Sequence, residues 1–171
     1  MKMEEKKLMR HRIAFRPETD DDLEFLYRVY ASTRADEMKL VSWTDEQKEA
    51  FVRHQFTAQR AHYYGSYVDA RFLLILEEGQ PIGRLYLHQM PGDLRIVDIA
   101  LLPEHRGRGI GAMLLRELID DAGSRGDAVS IHVEIFNPAL RLYERLGFEL
   151  VETHGPNHLM MWRPAEGAPI S

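Results

Sequence analysis

The stretch Pro103-Glu104-His105-Arg106-Gly107-Arg108-Gly109-Ile110-Gly111-Ala112 follows an apolar, strand-like run and leads straight into an amphipathic one. The chain must therefore turn from strand to helix across three closely spaced glycines. Positions without a Cβ let the backbone approach a ligand closely. The N–H groups of a helix's first turn have no intrahelical partner, and the helix macrodipole favours negative charge at that end. With Arg106 and Arg108 adding cationic reach, the segment Arg106-Gly107-Arg108-Gly109-Ile110-Gly111 reads as an anion site suited to a pyrophosphate. The bland reading of the two arginines is ordinary solvated surface charge.

Gly107-x-Gly109-x-x-Ala112 also fits the dinucleotide-binding fingerprint, with Glu134 at the end of the next strand-like run. In that fold the first glycine sits directly at the strand's end, whereas Pro103-Glu104-His105-Arg106 separates Leu102 from Gly107 here. A second motif downstream decides the matter: Asn137-Pro138-Ala139-Leu140-Arg141-Leu142-Tyr143-Glu144-Arg145-Leu146-Gly147-Phe148. Arg106-x-x-Gly109-x-Gly111 combined with Asn137-Pro138-Ala139, Tyr143 and Gly147-Phe148 resembles the GCN5-related N-acetyltransferase (GNAT) superfamily, over roughly residues 82–148. The resemblance implies acetyl-CoA as cosubstrate, with its pyrophosphate on residues 106–111. It implies that the main chain of Ile99, Ala100 and Leu101 lies along the pantetheine arm. It also implies that Tyr143 protonates the departing thiolate, and it identifies the donor far better than the acceptor.

A chain of 171 residues with 44% hydrophobic content has ample material for one core, and residues 1–171 are expected to be a single domain, with 1–10 and 164–171 as loosely held ends. The chain contains no cysteine, so it offers no disulfide, thiolate metal site or cysteine nucleophile, and any thiol chemistry must come from a cosubstrate. No metal is expected. The net charge of −5 argues against nucleic acid or an anionic membrane as the main partner and tolerates an amine-bearing acceptor, a small molecule or a peptide. The charged start Met1-Lys2-Met3-Glu4-Glu5-Lys6-Lys7 lacks a signal peptide's apolar stretch, and no run reaches membrane-span length, so a cytoplasmic location is expected. A homodimer is left open.

The pattern predicts an α/β (α+β) domain: a mixed, mostly antiparallel sheet of six to seven strands, splayed at a central parallel pair, with about four helices. Residues 11–16 read as a first strand. Thr19-Asp20-Asp21-Asp22 then caps a helix with Leu23, Leu26, Tyr27 and Tyr30 on one face, and Thr44 with Gln47 forms a capping box for a second helix reaching the cluster at 62–67. Strands are predicted at 71–77, 82–89 and 94–101, antiparallel to one another, and 129–134 returns parallel beside the last of them after a helix carrying Ile110, Met113, Leu114, Leu118 and Ile119 on one face. Asn137 is predicted as an N-cap with Pro138 at the first helical position and Gly147 at the stop; a hairpin of 148–153 and 158–162 follows.

On that last helix Ala139, Leu142, Tyr143 and Leu146 share a face, so spacing alone makes Tyr143 a core tyrosine. The family resemblance adds the proton-donor role. A phenol of pKa about 10 stays protonated at neutral pH and can donate to a thiolate whose conjugate acid lies near 8.5 if it resembles cysteine. Asn137 is compatible with both a cap and a cofactor contact.

A general base is harder to identify. Relatives often carry Glu or His on the strand before the glycine loop, but the positions of matching parity, counted back from Arg106, hold Arg95 and Val97 here. Asp98 is the acid in the middle of that strand. It is a candidate catalytic base or a structural hydrogen-bonding residue, and simple alternation turns it away from the cofactor unless a bulge intervenes. His88, His132 and Glu134 are alternatives. A lysine-type amine is neutral about one time in a thousand near pH 7.4, an α-amine more than about a quarter of the time, so a missing base leans toward low-pKa amines or water-relayed proton loss. The acceptor side is assigned to the first two helices and the loop between them, with Arg34, Asp36, Glu37, Trp43 and residues 62–67; Trp43 and the tyrosines read first as simple packing. An acetyl-CoA-dependent N-acetyltransferase acting by direct attack in a ternary complex is the leading function. A non-catalytic acyl-CoA sensor is the second, and a nicotinamide-dependent oxidoreductase a distant third.

Overall fold

The computed structural model describes residues 12–165. The expectations for residues 1–10, for residue 11 of the first strand and for most of 164–171 lie outside the described residues. In chain order the elements are β1 (Ile13–Pro17), α1 (Leu23–Lys39), α2 (Asp45–Ser66), β2 (Arg71–Glu77), β3 (Gln80–Met90), β4 (Asp93–Leu101), α3 (Ile110–Ser124), β5 (Ala128–Glu134), α4 (Leu140–Arg145), β6 (Glu149–His154) and β7 (Asn157–Trp162). The strands form one sheet in the order β1-β2-β3-β4-β5-β7-β6. Among the described residues only β4 and β5 run parallel; the other neighbouring pairs are antiparallel. The architecture is the one the sequence predicts.

Local chemistry accounts for the element ends. The Thr44 N–H donates to Gln47 Oε1 at 2.9 Å while the Gln47 N–H donates to Thr44 Oγ1 at 3.1 Å, the reciprocal box expected at the start of α2. Thr19 and Asp22 form a second box ahead of α1, and Arg16 grips the same carboxylate through two nitrogens at 2.8 and 2.9 Å. The start of α4 departs from expectation. The helix begins at Leu140, and Asn137 instead accepts the Ala139 N–H on its Oδ1 at 2.9 Å in a turn before it. An Asn-Pro pair makes that local turn as readily as it caps a helix.

The sheet separates two apolar layers. On one face α3 buries Ile110, Met113, Leu114, Leu115, Leu118, Ile119 and Ala122 against strand residues including Leu85, Leu94, Ile96, Val129 and Ile131. On the other face Leu26, Tyr30, Val52 and Phe56 of α1 and α2 close over Leu74. Leu23, expected on the buried stripe, stays 38% exposed because the contact line runs through Leu26, Val29 and Tyr30.

The feature that positions the site is a break in β4. Tyr86 pairs with Asp98 but Leu87 pairs with Ile96, so Val97 is an extra residue in the strand. A bulge of this kind shifts the side-chain alternation by one. Leu94 and Ile96 before it, and Ile99 and Leu101 after it, therefore all pack toward the α3 side. The parallel ladder with β5 ends at the same place, its last partners being Ile96 and Ile131. Beyond them the two strands part.

Candidate active site

The glycine loop lies at the end of the released segment of β4. A single 3-10 turn, Pro103–His105, follows Leu102, and the Arg106 N–H closes it on the Pro103 carbonyl at 3.1 Å. Gly109 is the cap residue of α3 at φ 82°, with no side chain to satisfy the helix's first donors, and the first helical bond runs from the Met113 N–H to the Gly109 carbonyl at 3.0 Å. A Cβ added at Gly107, Gly109 or Gly111 would meet nothing within 4 Å. These glycines thus border open space and are not held bare by packing, so a ligand can approach the backbone N–H groups at the helix start. Ile110 is 1% exposed and roots the helix in the core, so only its backbone is available to a ligand.

Both loop arginines already have partners. Arg106 donates from Nε to the Leu101 carbonyl at 2.9 Å and from Nη2 to Ser32 Oγ of α1 at 3.0 Å. Arg108 donates from two nitrogens, each at 2.9 Å, to the Glu77 carboxylate at the end of β2. They flank the loop as fixed charges.

Ile99, Ala100 and Leu101 occupy the stretch of β4 that has lost β5, so main-chain groups on that edge face the gap. The opposite edge stays paired with β3, where Gly83 is required. A Cβ there would sit 2.3 Å from the Ala100 carbonyl oxygen. Tyr143 of α4 is 5% exposed and meets Phe148 edge-on at 5.7 Å. Burial first, and the Asp98 charge second, push its phenol up to about 12.

Asp98 lies on the other face, under α2. Its carboxylate accepts from Arg84 Nη2, which also donates to Gln59 at 3.0 Å, and from the Tyr63 hydroxyl at 3.5 Å. Arg84 is 2% exposed. Burial works against its charge, but Asp98, then Tyr86 and Tyr63, outweigh it, and the guanidinium ends above the usual arginine value. Sequence reasoning missed Arg84, Gln59 and Tyr63 as a unit. The available signal was an arginine set among Ile82, Leu85 and Leu87, where a buried charge requires a partner.

The alternative bases are placed as follows. His132 Nδ1 lies 3.3 Å from Arg95 Nη1, and burial, with Arg95 next, lowers its pKa, so it is neutral at neutral pH. Glu134 pairs with Arg34 at 3.3 Å, and Arg34 also holds Glu37 at 2.9 Å and the Tyr30 hydroxyl at 3.3 Å. His88 packs against Tyr67 at 5.4 Å. Of the residues expected on the acceptor side, Asp36 is turned to solvent, Trp43 packs on Phe51 at 5.1 Å, and Tyr64 stacks on Phe72 at 4.2 Å. Among the described residues no group of three or more His, Cys, Asp or Glu is arranged to hold a metal ion, and no helix is long and apolar enough to cross a membrane.

Comparison with known proteins identifies the family. The profile of the acetyltransferase (GNAT) family matches residues 26–148. The chain is 38% identical over 97 residues to the N-alpha-acetyltransferase RimI of Mycobacterium tuberculosis, covering 56% of this chain and 60% of that protein. It is 36% identical over 63 residues to a mycothiol acetyltransferase of Nocardiopsis dassonvillei, covering 37% of this chain and 19% of that one. The chain spans less than a third of the length of several curated relatives it matches. Its fold superimposes on the PaiA N-acetyltransferase of Thermoplasma acidophilum, solved in complex with coenzyme A, with a TM-score of 0.65 at 22% identity, covering 88% of this chain and 98% of that one.

Proposed function

The chain belongs to the GNAT acetyltransferase family, and on that footing we propose that it transfers an acetyl group from acetyl-CoA to a primary amine, with an α-amine the favoured acceptor. The observation that carries this reading is the open row of backbone donors at the start of α3, set beside the stretch of β4 released by the Val97 bulge. That arrangement suits a long ligand with an anionic middle and an amide-bearing arm.

Acetyl-CoA supplies an acetyl group already activated as a thioester. The backbone of Gly107, Arg108, Gly109, Ile110 and Gly111 would hold its diphosphate, with Arg106 and Arg108 flanking and Asn137 contributing from the far side of the gap. The main chain of Ile99, Ala100 and Leu101 would orient the arm. Tyr143 keeps its proton on Oη at neutral pH, and it would deliver that proton to the departing thiolate. The Arg84 pairing leaves Asp98 better suited to buttress β4 than to take a proton. With Asp98 held by Arg84, an acceptor that is already partly neutral is favoured, as an α-amine of pKa about 7.8 is. A RimI-type relative named for N-alpha-acetylation fits the same reading. The engaged Asp98 equally suits the second reading, an acyl-CoA-binding module without turnover.

Gly109→Asp tests the binding half directly. It places bulk and negative charge in the mouth of the loop, so calorimetry should show CoA affinity falling at least about tenfold while the far-ultraviolet circular dichroism stays native. Unchanged affinity would remove the loop from the site.

A further inference from the structure

Arg108 is one of two cations in the proposed diphosphate loop, and a carboxylate already sits on it. Glu77 accepts from Arg108 Nη1 and Nη2, both at 2.9 Å, a bidentate pairing that uses its two oxygens together. Glu77 ends β2 and is brought to the loop by the strand ladder, 31 residues away in sequence. His105 lies on the same pair, its Nδ1 3.7 Å from Glu77 Oε1 and 3.2 Å from Arg108 Nη1. Glu77 is 17% exposed at its side chain and Arg108 46%, so the pair is at the surface, on the rim of the loop. With its Arg108 end open to water, the pair is screened and adds only modestly to folding stability. Its position matters more, because a fixed negative charge here opposes any anion entering the loop and occupies a cation that the anion would use.

We propose that Glu77 is a built-in competitor for the coenzyme's diphosphate: it holds Arg108 in the free protein, must share or surrender that guanidinium when the diphosphate arrives, and thereby weakens binding and hastens release of the spent coenzyme. This rests on the proposed acetyl-CoA reading. For a transferase that must discharge CoA after each turnover, a carboxylate ready to reclaim Arg108 keeps the site from holding its product too long.

The test is calorimetry and stopped-flow release of CoA with the wild type and Glu77→Gln, which keeps the shape and removes the charge. Glu77→Thr, compatible with the end of a strand, is the second variant should the first fail to fold. The variant should bind CoA about three- to tenfold more tightly, mainly through slower release, with the gain shrinking as salt rises. Pantetheine, which lacks the diphosphate, should bind both proteins equally. CoA affinity that is unchanged or weaker in the folded variant overturns the proposal and makes Glu77 a support for Arg108. An equal gain for pantetheine also overturns it. A wild type that takes up no CoA fails the functional reading itself, and this inference with it.

Discussion

Asp98→Asn should lower the free energy of unfolding by about 3–5 kcal/mol, read from urea denaturation, because it leaves the Arg84 guanidinium buried without its counter-charge. Asn is nearly isosteric with Asp, so the loss reports charge and not shape. Burial makes the penalty large: an exposed pair would contribute about 1 kcal/mol at most, but Arg84 is 2% exposed. Replacing both residues together, as Arg84→Met with Asp98→Leu, should recover much of the stability, since two apolar side chains of similar volume leave no stranded charge. The same substitution separates the two roles open to Asp98. If it buttresses the sheet, the rising limb of kcat/KM against pH follows the acceptor's own amine pKa and survives in Asp98→Asn. A variant of native stability whose rising limb has vanished would make Asp98 the base.

Tyr143→Phe should reduce kcat by about 10²-fold or more while leaving CoA affinity near that of the wild type, since the ring and its edge-on contact with Phe148 remain and only the proton donor is lost. The phenol's raised pKa of about 12 fixes the sign of the pH effect. Tyr143 is protonated, and so competent as an acid, throughout the neutral and mildly alkaline range, and it adds no falling limb to the profile until pH approaches that value. A Phe variant with wild-type kcat on its true acceptor would leave Tyr143 as core packing, the role its spacing alone suggests.

Much of the architecture is legible in local pattern. The glycine loop, the apolar stripe of α3, the Thr44–Gln47 box and the strands around them each follow from residues close in sequence. What is not legible depends on partners far along the chain. The Val97 bulge shows in the sequence only as a slip of the apolar positions of β4, from Leu94 and Ile96 to Ile99 and Leu101; the β3 register is what locates it. Asp98 acquires its environment from Arg84 and from Tyr63, 14 and 35 residues away. Arg106 and Arg108 read as free cations in sequence, yet Ser32 and Glu77 hold them across the fold. Asn137 illustrates a near-degeneracy, since cap and turn use the same carboxamide, and the turn is formed.

The most direct test is the initial rate of CoA thiol release from acetyl-CoA, measured with and without each member of a panel of peptides with free N-termini, amino acids, polyamines and aminoglycosides. Release that requires an amine, is matched one for one by acetylation of that amine, and is fastest with an α-amine is the expected result. Tight CoA binding with no amine-dependent release across the panel would contradict the account and leave the chain as an acyl-CoA-binding module.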